Sequence, residues 1–318
     1  MAYTTGQAPR TTDKQHFDAF NVGYLSFQTM FQNIFEVVKS DRETSEFQMI
    51  AGGSTPEEVA QGANFPETNP KEVGRKDITV RVFKKKIALT QLGEATAIDK
   101  TLQQARNLGM RSRIKKDQIA ASVFQNAFIS TNGFGITIDG TLNALVGATQ
   151  SIGDTGNTQS NKVSGALSKS TLSDARTLLG RQRDFDNELA LFAGKQLIVG
   201  ETLGDTANEL TMASADTADN KNNKNINVNQ VVQSIIWTQI EEPFGQAKDT
   251  SNDTNTELKD NWFLRGLSME NPFKFINVIP LNFMVIRNPL NGNREYQVTF
   301  AVDAKAVNYL GVVGSDGT

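Results

Sequence analysis

The sequence predicts an α+β protein, because helical and strand patterns both occur and lie in separate parts of the chain. Apolar residues recur at steps of three and four after residue 20, which indicates an amphipathic helix. Apolar and charged residues alternate over residues 77–90, which indicates a strand. A helix, a short apolar strand and a second helix between residues 170 and 212 indicate a compact α/β subdomain. The 318 residues are enough for one large domain or two ordinary ones.

The N-terminal region predicts a flexible arm followed by a helix. Residues 1–19 contain threonines and mixed charges without an apolar period. The next segment predicts one helix capped by Asn21, with an apolar stripe on one side. The stripe consists of Tyr24, Phe27, Phe31, Ile34, Phe35 and Val38. Gln28, Gln32 and Asn33 lie on the opposite side without basic residues, so the pattern favours packing on a core over binding to a membrane surface.

The strand predicted over residues 77–90 has no obvious partner nearby. It carries three consecutive lysines, and the segment before it is polar and interrupted by glycine and proline. We expect residues 46–95 to form an extended excursion without a core of its own, which is stable only if another chain covers it. The expected contact with a neighbouring copy of the chain involves four basic residues: Arg81, Lys84, Lys85 and Lys86.

A second, long helix is predicted after residue 95. Asp99 is a candidate N-cap, and about 30 residues follow with only Gly109 against the helical pattern. The apolar side of its second half consists of Ile119, Ala120, Val123, Phe124, Ala127 and Phe128. Its middle is basic, with Arg106, Arg111, Arg113, Lys115 and Lys116. This cluster favours a solvated helix face over a contact with DNA.

The second half of the chain alternates apolar elements with polar inserts. A helix is expected to begin near Ser170 or Thr171, a strand to cover residues 197–199, and a helix to open near Glu201. Two inserts lack apolar content and predict surface loops: residues 214–229 and 245–261. Further strands are expected between and after the inserts, with a tight hairpin turn at residues 291–292.

The composition argues against most enzyme sites. There are no cysteines, so thiolate metal sites are excluded, and the single histidine, His16, makes a catalytic triad or histidine-rich zinc site implausible. We expect His16 to be a surface residue near the N-terminus. No glycine-rich phosphate loop is present, and the motifs at residues 154–157 and 249–257 do not fit an aspartic-protease or calcium-binding loop. We expect no catalytic residue, metal ligand or cofactor; the alternative enzyme class is a hydrolase using carboxylates such as Glu241 and Glu242.

Charge and hydropathy limit the class of partner. The 32 basic and 35 acidic side chains give a formal net charge of -3, so nothing in the balance favours tight binding of nucleic acid. No apolar run approaches the roughly 20 residues of a membrane span. The first residues lack the pattern of a secretory signal, so we expect a protein that stays in the cytoplasm where it is made and has no membrane partner.

Three blocks of the sequence resemble the major capsid proteins of tailed bacteriophages, which have the Hong Kong 97-type fold. The first block, residues 84–128, is similar to the family's extended-loop strand and long spine helix. The second, residues 139–210, is similar to its run of a Leu-Ser-containing helix, a Leu-hydrophobic-Val strand and a helix. The third consists of residues 261–266 and 296–317, which resemble its closing strands. The pattern is nearest to the major head subunit of Mu-like phages.

The resemblance implies a division of the chain into four parts. They are an N-terminal arm and first helix (1–45), an extended loop (46–95), a peripheral domain with the spine helix (96–139 and 268–318) and an axial domain (140–267).

The resemblance also implies a function. Copies are expected to assemble as pentamers and hexamers into an icosahedral shell that encloses double-stranded phage DNA without sequence-specific binding. A separate scaffolding protein, a portal and a decoration protein are the other expected partners. The subunit is expected in the virion after assembly in the cytoplasm of a host bacterium. The alternative is a shell protein of a cellular nanocompartment that encloses an enzyme cargo.

Overall fold

The computed structural model describes residues 13–51, 53, 59, 64, 69–90, 98–131, 133–153, 156–212, 232–241, 258–267, 270–287 and 293–318. The helices that lie wholly within these residues are α1 Asp13–Ser26, α2 Ile98–Gln125, α3 Lys169–Gly180 and α4 Gly204–Met212. The strands are β1 Glu36–Lys39, β2 Thr44–Ala51, β3 Lys71–Thr79, β4 Arg81–Leu89, β5 Ile136–Ile138, β6 Thr141–Asn143, β7 Gln150–Ile152, β8 Asn157–Gln159, β9 Gly194–Val199, β10 Gln233–Ile236, β11 Trp262–Gly266, β12 Phe273–Arg287, β13 Arg294–Ala306 and β14 Val312–Ser315. The mixture confirms the predicted α+β class.

The chain divides into two compact units, each built from three separate segments. The first unit contains Met1–Ser45, Thr79–Ala120 and Phe275–Asp303, and the second contains the intervening segments and the C-terminal residues. The four-part division implied by the family resemblance stays a prediction. None of the described helices combines the length and hydropathy that a membrane span requires.

The first unit contains a four-stranded sheet in the order β1-β12-β13-β4. β4 pairs antiparallel with β13, which places Phe83 opposite Phe300 and Lys85 opposite Val298. The two phenylalanine rings stack with centroids 5.3 Å apart. β4 therefore has a pairing partner in its own chain. That partner belongs to the C-terminal part of the sequence, which is why none is evident near residues 77–90.

α1 and α2 cross closely in the first unit, and two glycines permit the approach. A Cβ atom on Gly23 would lie 2.0 Å from the carbonyl oxygen of Arg106, and one on Gly109 would lie 2.2 Å from that of Phe20. These distances are far shorter than a van der Waals contact, so no larger side chain fits without separating the helices. This contact explains the glycine within the helical pattern of α2.

The first helix lies earlier in the chain than predicted. α1 begins at Asp13, so residues 13–19 are helical and Asn21 lies inside the helix, while residues 1–12 fall outside the described residues. A 3₁₀ turn at Phe31–Asn33 and then β1 replace the predicted continuation. The cause is a tertiary contact: Oδ1 of the buried Asp117 accepts hydrogen bonds from the backbone N–H groups of Met30 (2.9 Å) and Phe31 (3.2 Å).

His16 is fully buried, so its predicted surface position is wrong. Its Nε2 lies 2.8 Å from Nη1 of Arg294, and its Nδ1 lies 2.7 Å from the hydroxyl of Tyr296. Because a guanidinium group only donates hydrogen bonds, Nε2 must accept, and the imidazole is neutral with its proton on Nδ1. Nη2 of Arg294 also lies 3.3 Å from Oδ1 of Asp13. These partners come from β13, so nothing near residue 16 in the sequence indicates its burial.

The second unit contains the predicted helix–strand–helix alternation. β9 pairs parallel with β10 and antiparallel with β11, which in turn pairs antiparallel with β14. Ser168 caps α3 in a capping box with Thr171, close to the predicted start of the helix. The helices and this sheet share one apolar core: Val163, Leu167, Leu172, Ala175, Leu179, Leu197, Val199, Ala207, Val232, Trp262, Leu264 and Val313.

The remaining elements of the second unit include the end of α2 and two small sheets. The apolar side of the second half of α2 is confirmed, with Phe124 fully buried 5.1 Å from the ring of Phe263. The second unit also has a sheet ordered β2-β3-β5-β6 and a β7-β8 hairpin. The predicted loop over residues 214–229, residues 245–257 of the loop predicted over 245–261, and the turn at residues 291–292 lie outside the described residues.

Candidate functional site

Strand β4 lies at one edge of the sheet of the first unit and carries the basic residues singled out in the sequence. Lys84, Lys85 and Lys86 are all exposed. An edge strand presents backbone N–H and C=O groups that another chain can pair with, and lysines on such an edge oppose indiscriminate pairing. Pairing at this edge therefore favours a partner that can neutralise its charge.

The four predicted contact residues fall into two pairs with different surroundings. Nη2 of Arg81 lies 2.8 Å from Oδ1 of Asp303, and Nζ of Lys86 lies 2.8 Å from Oε1 of Glu295. Both carboxylates are largely buried. Within the described part of the chain, neither Lys84 nor Lys85 forms an ion pair. The structure therefore gives Arg81 and Lys86 partners in their own chain and leaves Lys84 and Lys85 facing solvent.

An open groove of about 540 Å³ lies between α2 and the strands β4 and β13, entirely within the first unit. We call it the basic groove. Its apolar floor consists of Phe83, Ile87, Leu108, Val298 and Phe300. Its polar edge consists of Lys84, Lys85, Gln104, Asn107, Arg111, Ser112 and Lys115. Among the described residues that line it, four are cationic and none is acidic, so it favours an occupant with apolar side chains and carboxylates.

Lys115 joins the charged edge of the basic groove to its apolar floor. Its ammonium group lies 5.8 Å from the ring centroid of Phe83, close enough for a cation–π interaction. Burial lowers the pKa of Lys115, and the positive charge of Arg81 lowers it further. An anion that entered the groove would oppose both effects, because it would stabilise the charged ammonium form.

Lys116 lies behind the groove and holds α2 against two aromatic rings. Its Nζ atom is 5.8 Å from the ring centroid of Tyr24 and 5.4 Å from that of Phe300. Burial lowers the pKa of Lys116 to about 8, with a further contribution from the charge of Arg113. The prediction that the basic cluster of α2 is a solvated face is wrong for Lys116, because α1 and β13 cover it.

Arg113 connects α2 to the end of α1. Its Nη1 donates a hydrogen bond to the carbonyl oxygen of Tyr24 (3.1 Å), and its guanidinium carbon lies 5.2 Å from the Tyr24 ring centroid. Burial raises the pKa of Tyr24, while the charge of Arg113 acts in the opposite direction. The basic residues of α2 thus serve two sides of the helix, one toward α1 and one toward the groove.

The structure also places the residues weighed for enzyme chemistry. Oε1 of Glu241 accepts a hydrogen bond from the backbone N–H of Thr202 (2.7 Å), while Glu242 lies outside the described residues. Residues 154–155 lie outside them too, and Asn157 begins β8. In the described part of the chain, no three histidine or acidic side chains come together in a way that could hold a metal ion.

Comparison with known proteins gives a result only at the level of structure. No family model matches the sequence, and no curated protein matches it either. The mature capsid of bacteriophage PhiM1 matches with a TM-score of 0.58 and 10% identity, over 91% of this chain and 87% of that one. The capsid of cyanophage P-SCSP1u matches with a TM-score of 0.54 and 10% identity, over 99% of this chain and 92% of that one.

The chain has the Hong Kong 97-type capsid fold. The capsid of a native GTA particle shares it, with a TM-score of 0.51 and 12% identity over 99% of this chain and 94% of that one. The resemblance found in the sequence is confirmed as a resemblance of fold. The narrower likeness to Mu-like phages stays a prediction. Because these matches cover nearly the whole chain, the capsid fold accounts for both units.

Proposed function

We propose that the chain is a major capsid protein, a structural subunit that assembles with its own copies into an icosahedral shell around phage DNA. The observation that carries this proposal is the match to phage capsid subunits along 91% and 99% of the chain. The expected building blocks are pentamers and hexamers, and the expected location is the virion, after assembly in the host cytoplasm. The proposed role is structural and not enzymatic.

Other virion components complete the proposal. A separate scaffolding protein, a portal and a decoration protein are the proposed protein partners, and double-stranded DNA is the proposed content, without sequence-specific contacts. The net charge of -3 agrees with a shell that encloses DNA without binding it tightly. Shell stability would come from large summed interfaces, because each exposed ion pair contributes only about 0–1 kcal/mol.

The experiment is to express the chain with and without candidate scaffolding proteins and to examine it by size-exclusion chromatography and negative-stain electron microscopy. Hollow, closed particles are expected. A protein that stays a compact monomer at high concentration in every combination would contradict the proposal. The contents of particles recovered from the natural source separate the two shell functions, since a phage capsid holds DNA and a nanocompartment holds an enzyme cargo.

We propose that Arg81, Lys84, Lys85 and Lys86 contribute to the contact between copies. The exposed Lys84 and Lys85 would contact the neighbour directly, while Arg81 and Lys86 hold β4 in place through Asp303 and Glu295. The test variant is K84E/K85E, because replacing Lys86 as well would remove the partner of a buried carboxylate and confuse assembly with folding.

K84E/K85E is expected to abolish particle formation while its thermal unfolding temperature stays within a few degrees of the wild-type value. The matched control is K39E/R42E, which reverses two exposed charges at and just after β1, the other edge strand of the same sheet. Normal particles from K84E/K85E, or equal loss in both variants, would contradict the assignment of the contact to β4.

A further inference from the structure

The basic groove fits an occupant that is both apolar and acidic. Its floor consists of aromatic and aliphatic side chains, of which Phe83 and Ile87 are partly exposed. Its edge carries Lys84, Lys85, Arg111 and Lys115. Burying that floor under a purely apolar segment would leave four cations near an interface without counter-charges. A segment with carboxylates beside apolar side chains satisfies both requirements.

The second unit presents such a segment at residues 183–193, which we call the acidic loop. Arg183 and Leu189 form an isolated antiparallel bridge that closes the loop. Oδ1 of Asp184 accepts hydrogen bonds from the backbone N–H groups of Asp186 (3.0 Å) and Glu188 (2.9 Å). The loop therefore has a defined shape and places three acidic residues within five positions.

Two leucines of the acidic loop are exposed. Leu189 has 53% of its surface exposed, and Leu191 has 74%. Leu191 also has a φ of 51°, in the left-handed region that leucine rarely adopts. A strained backbone and an apolar side chain in solvent both lower the stability of the isolated subunit. Burial of Leu191 against another chain would offset this cost, so the arrangement favours a role in binding.

We propose that the acidic loop of one copy docks in the basic groove of a second copy. Leu189 and Leu191 lie on the apolar floor, and the carboxylates of the loop face the cations of the edge. This inference rests on the proposed shell function and names one of its contacts. The groove and the loop are different surfaces of the same chain, so the contact is heterologous and repeats head to tail, as closed rings of five or six subunits require.

Cysteine cross-linking tests the contact directly, because the chain has no cysteine of its own. L191C is placed in the loop and N107C, an exposed helical position, at the edge of the groove. Equal amounts of the two variants are assembled together and oxidised with oxidised glutathione. A disulfide-linked dimer containing one copy of each variant is expected. The control pair combines L191C with K39C on β1, and is expected to give at least about tenfold less dimer.

Exchange of charge provides a second measurement. K85E alone and E188K alone are each expected to lower particle yield about tenfold, and the variant that carries both is expected to recover most of the wild-type yield. Recovery in the double variant cannot be explained by two independent folding defects. Additive losses in the double variant would contradict the pairing.

The outcomes separate this inference from the proposed function. Particles that form without the L191C–N107C dimer, or in which N107C links instead to a different protein, overturn the docking and leave the shell function in place. If wild-type protein forms no particles at all, the shell function fails. In that case a synthetic peptide of residues 183–193 still tests the docking. It is expected to bind the wild-type subunit at least about tenfold more tightly than K84E/K85E, and equal affinities would refute the contact.

Discussion

Lys116 should make the subunit less stable at neutral pH than at alkaline pH. Burial lowers its pKa to about 8 in the folded chain, whereas a lysine in an unfolded chain has a pKa of about 10.4. The unfolded state therefore binds more protons between these values, so the free energy of unfolding rises as the pH increases from about 8 to 10.4. At 1.36 kcal/mol per unit of pKa difference, the total is about 3 kcal/mol.

The perturbation is Lys116→Met, which keeps the length of the side chain and removes its charge. At pH 7 the variant avoids the roughly 3 kcal/mol cost, which is the net effect of burial and of the cation–π interactions with Tyr24 and Phe300, because a pKa difference reports all interactions of the charged form. We expect it to be more stable than the wild type by up to about 3 kcal/mol at pH 7. At pH 10 the folded wild-type lysine is mostly neutral, so the advantage should fall below about 1 kcal/mol.

The assay is urea unfolding of unassembled subunits at pH 7, 8, 9 and 10, with the wild type and the variant measured side by side. All other titrating groups are shared, so the difference in free energy of unfolding isolates Lys116. K100M, at an exposed position in the first turn of α2, controls for the added methionine and should change stability by no more than about 0.5 kcal/mol at pH 7. A difference between wild type and K116M that stays constant from pH 7 to 10 would refute the reasoning.

Two further predictions concern the packing of α1. Gly109→Ala should destabilise the subunit by about 1–3 kcal/mol in urea unfolding, because its Cβ would lie 2.2 Å from the carbonyl oxygen of Phe20; a stabilisation near the 1 kcal/mol expected from helix propensity would show that the helices separate freely. His16→Ala should also destabilise the subunit in urea unfolding, because the buried Arg294 and Tyr296 side chains would lose their hydrogen bonds to the imidazole. His16→Asn, which keeps a side chain that can accept a hydrogen bond, should lose less stability, and equal losses in both variants would contradict this origin.

The sequence predicts elements well where local pattern and tertiary packing agree. α2 follows its apolar period from Ile98 to Gln125, and the β4 alternation marks a real strand. The predicted position of α1 is wrong because the stripe that predicts its continuation is buried through a turn and a strand instead. Asp117 accepts hydrogen bonds from the N–H groups of Met30 and Phe31, which a continued helix would use itself. Apolar residues that face the core are buried both in one continued helix and in a turn followed by a strand, so the stripe alone does not distinguish the two alternatives.

The candidate site was predictable only in part, because it combines distant segments. Lys84 and Lys85 stand out as charges in an apolar alternation, and helical spacing alone places Leu108, Arg111 and Lys115 along one side of α2. The part of the site that the sequence does not predict is β13, which supplies Val298 and Phe300 to the floor of the basic groove. No local signal connects it to β4, because pairing between strands so far apart depends on the whole fold.

The order in which β4 and β13 leave the ribosome affects when a subunit becomes competent for assembly. The paired residues Leu89 and Arg294 are separated by 205 positions (294 minus 89). At a synthesis rate of about 5–20 residues per second, β4 emerges roughly 10–40 s before its partner strand. A nascent or truncated chain therefore cannot present the completed sheet edge, and only full-length molecules carry the surface proposed to join the lattice.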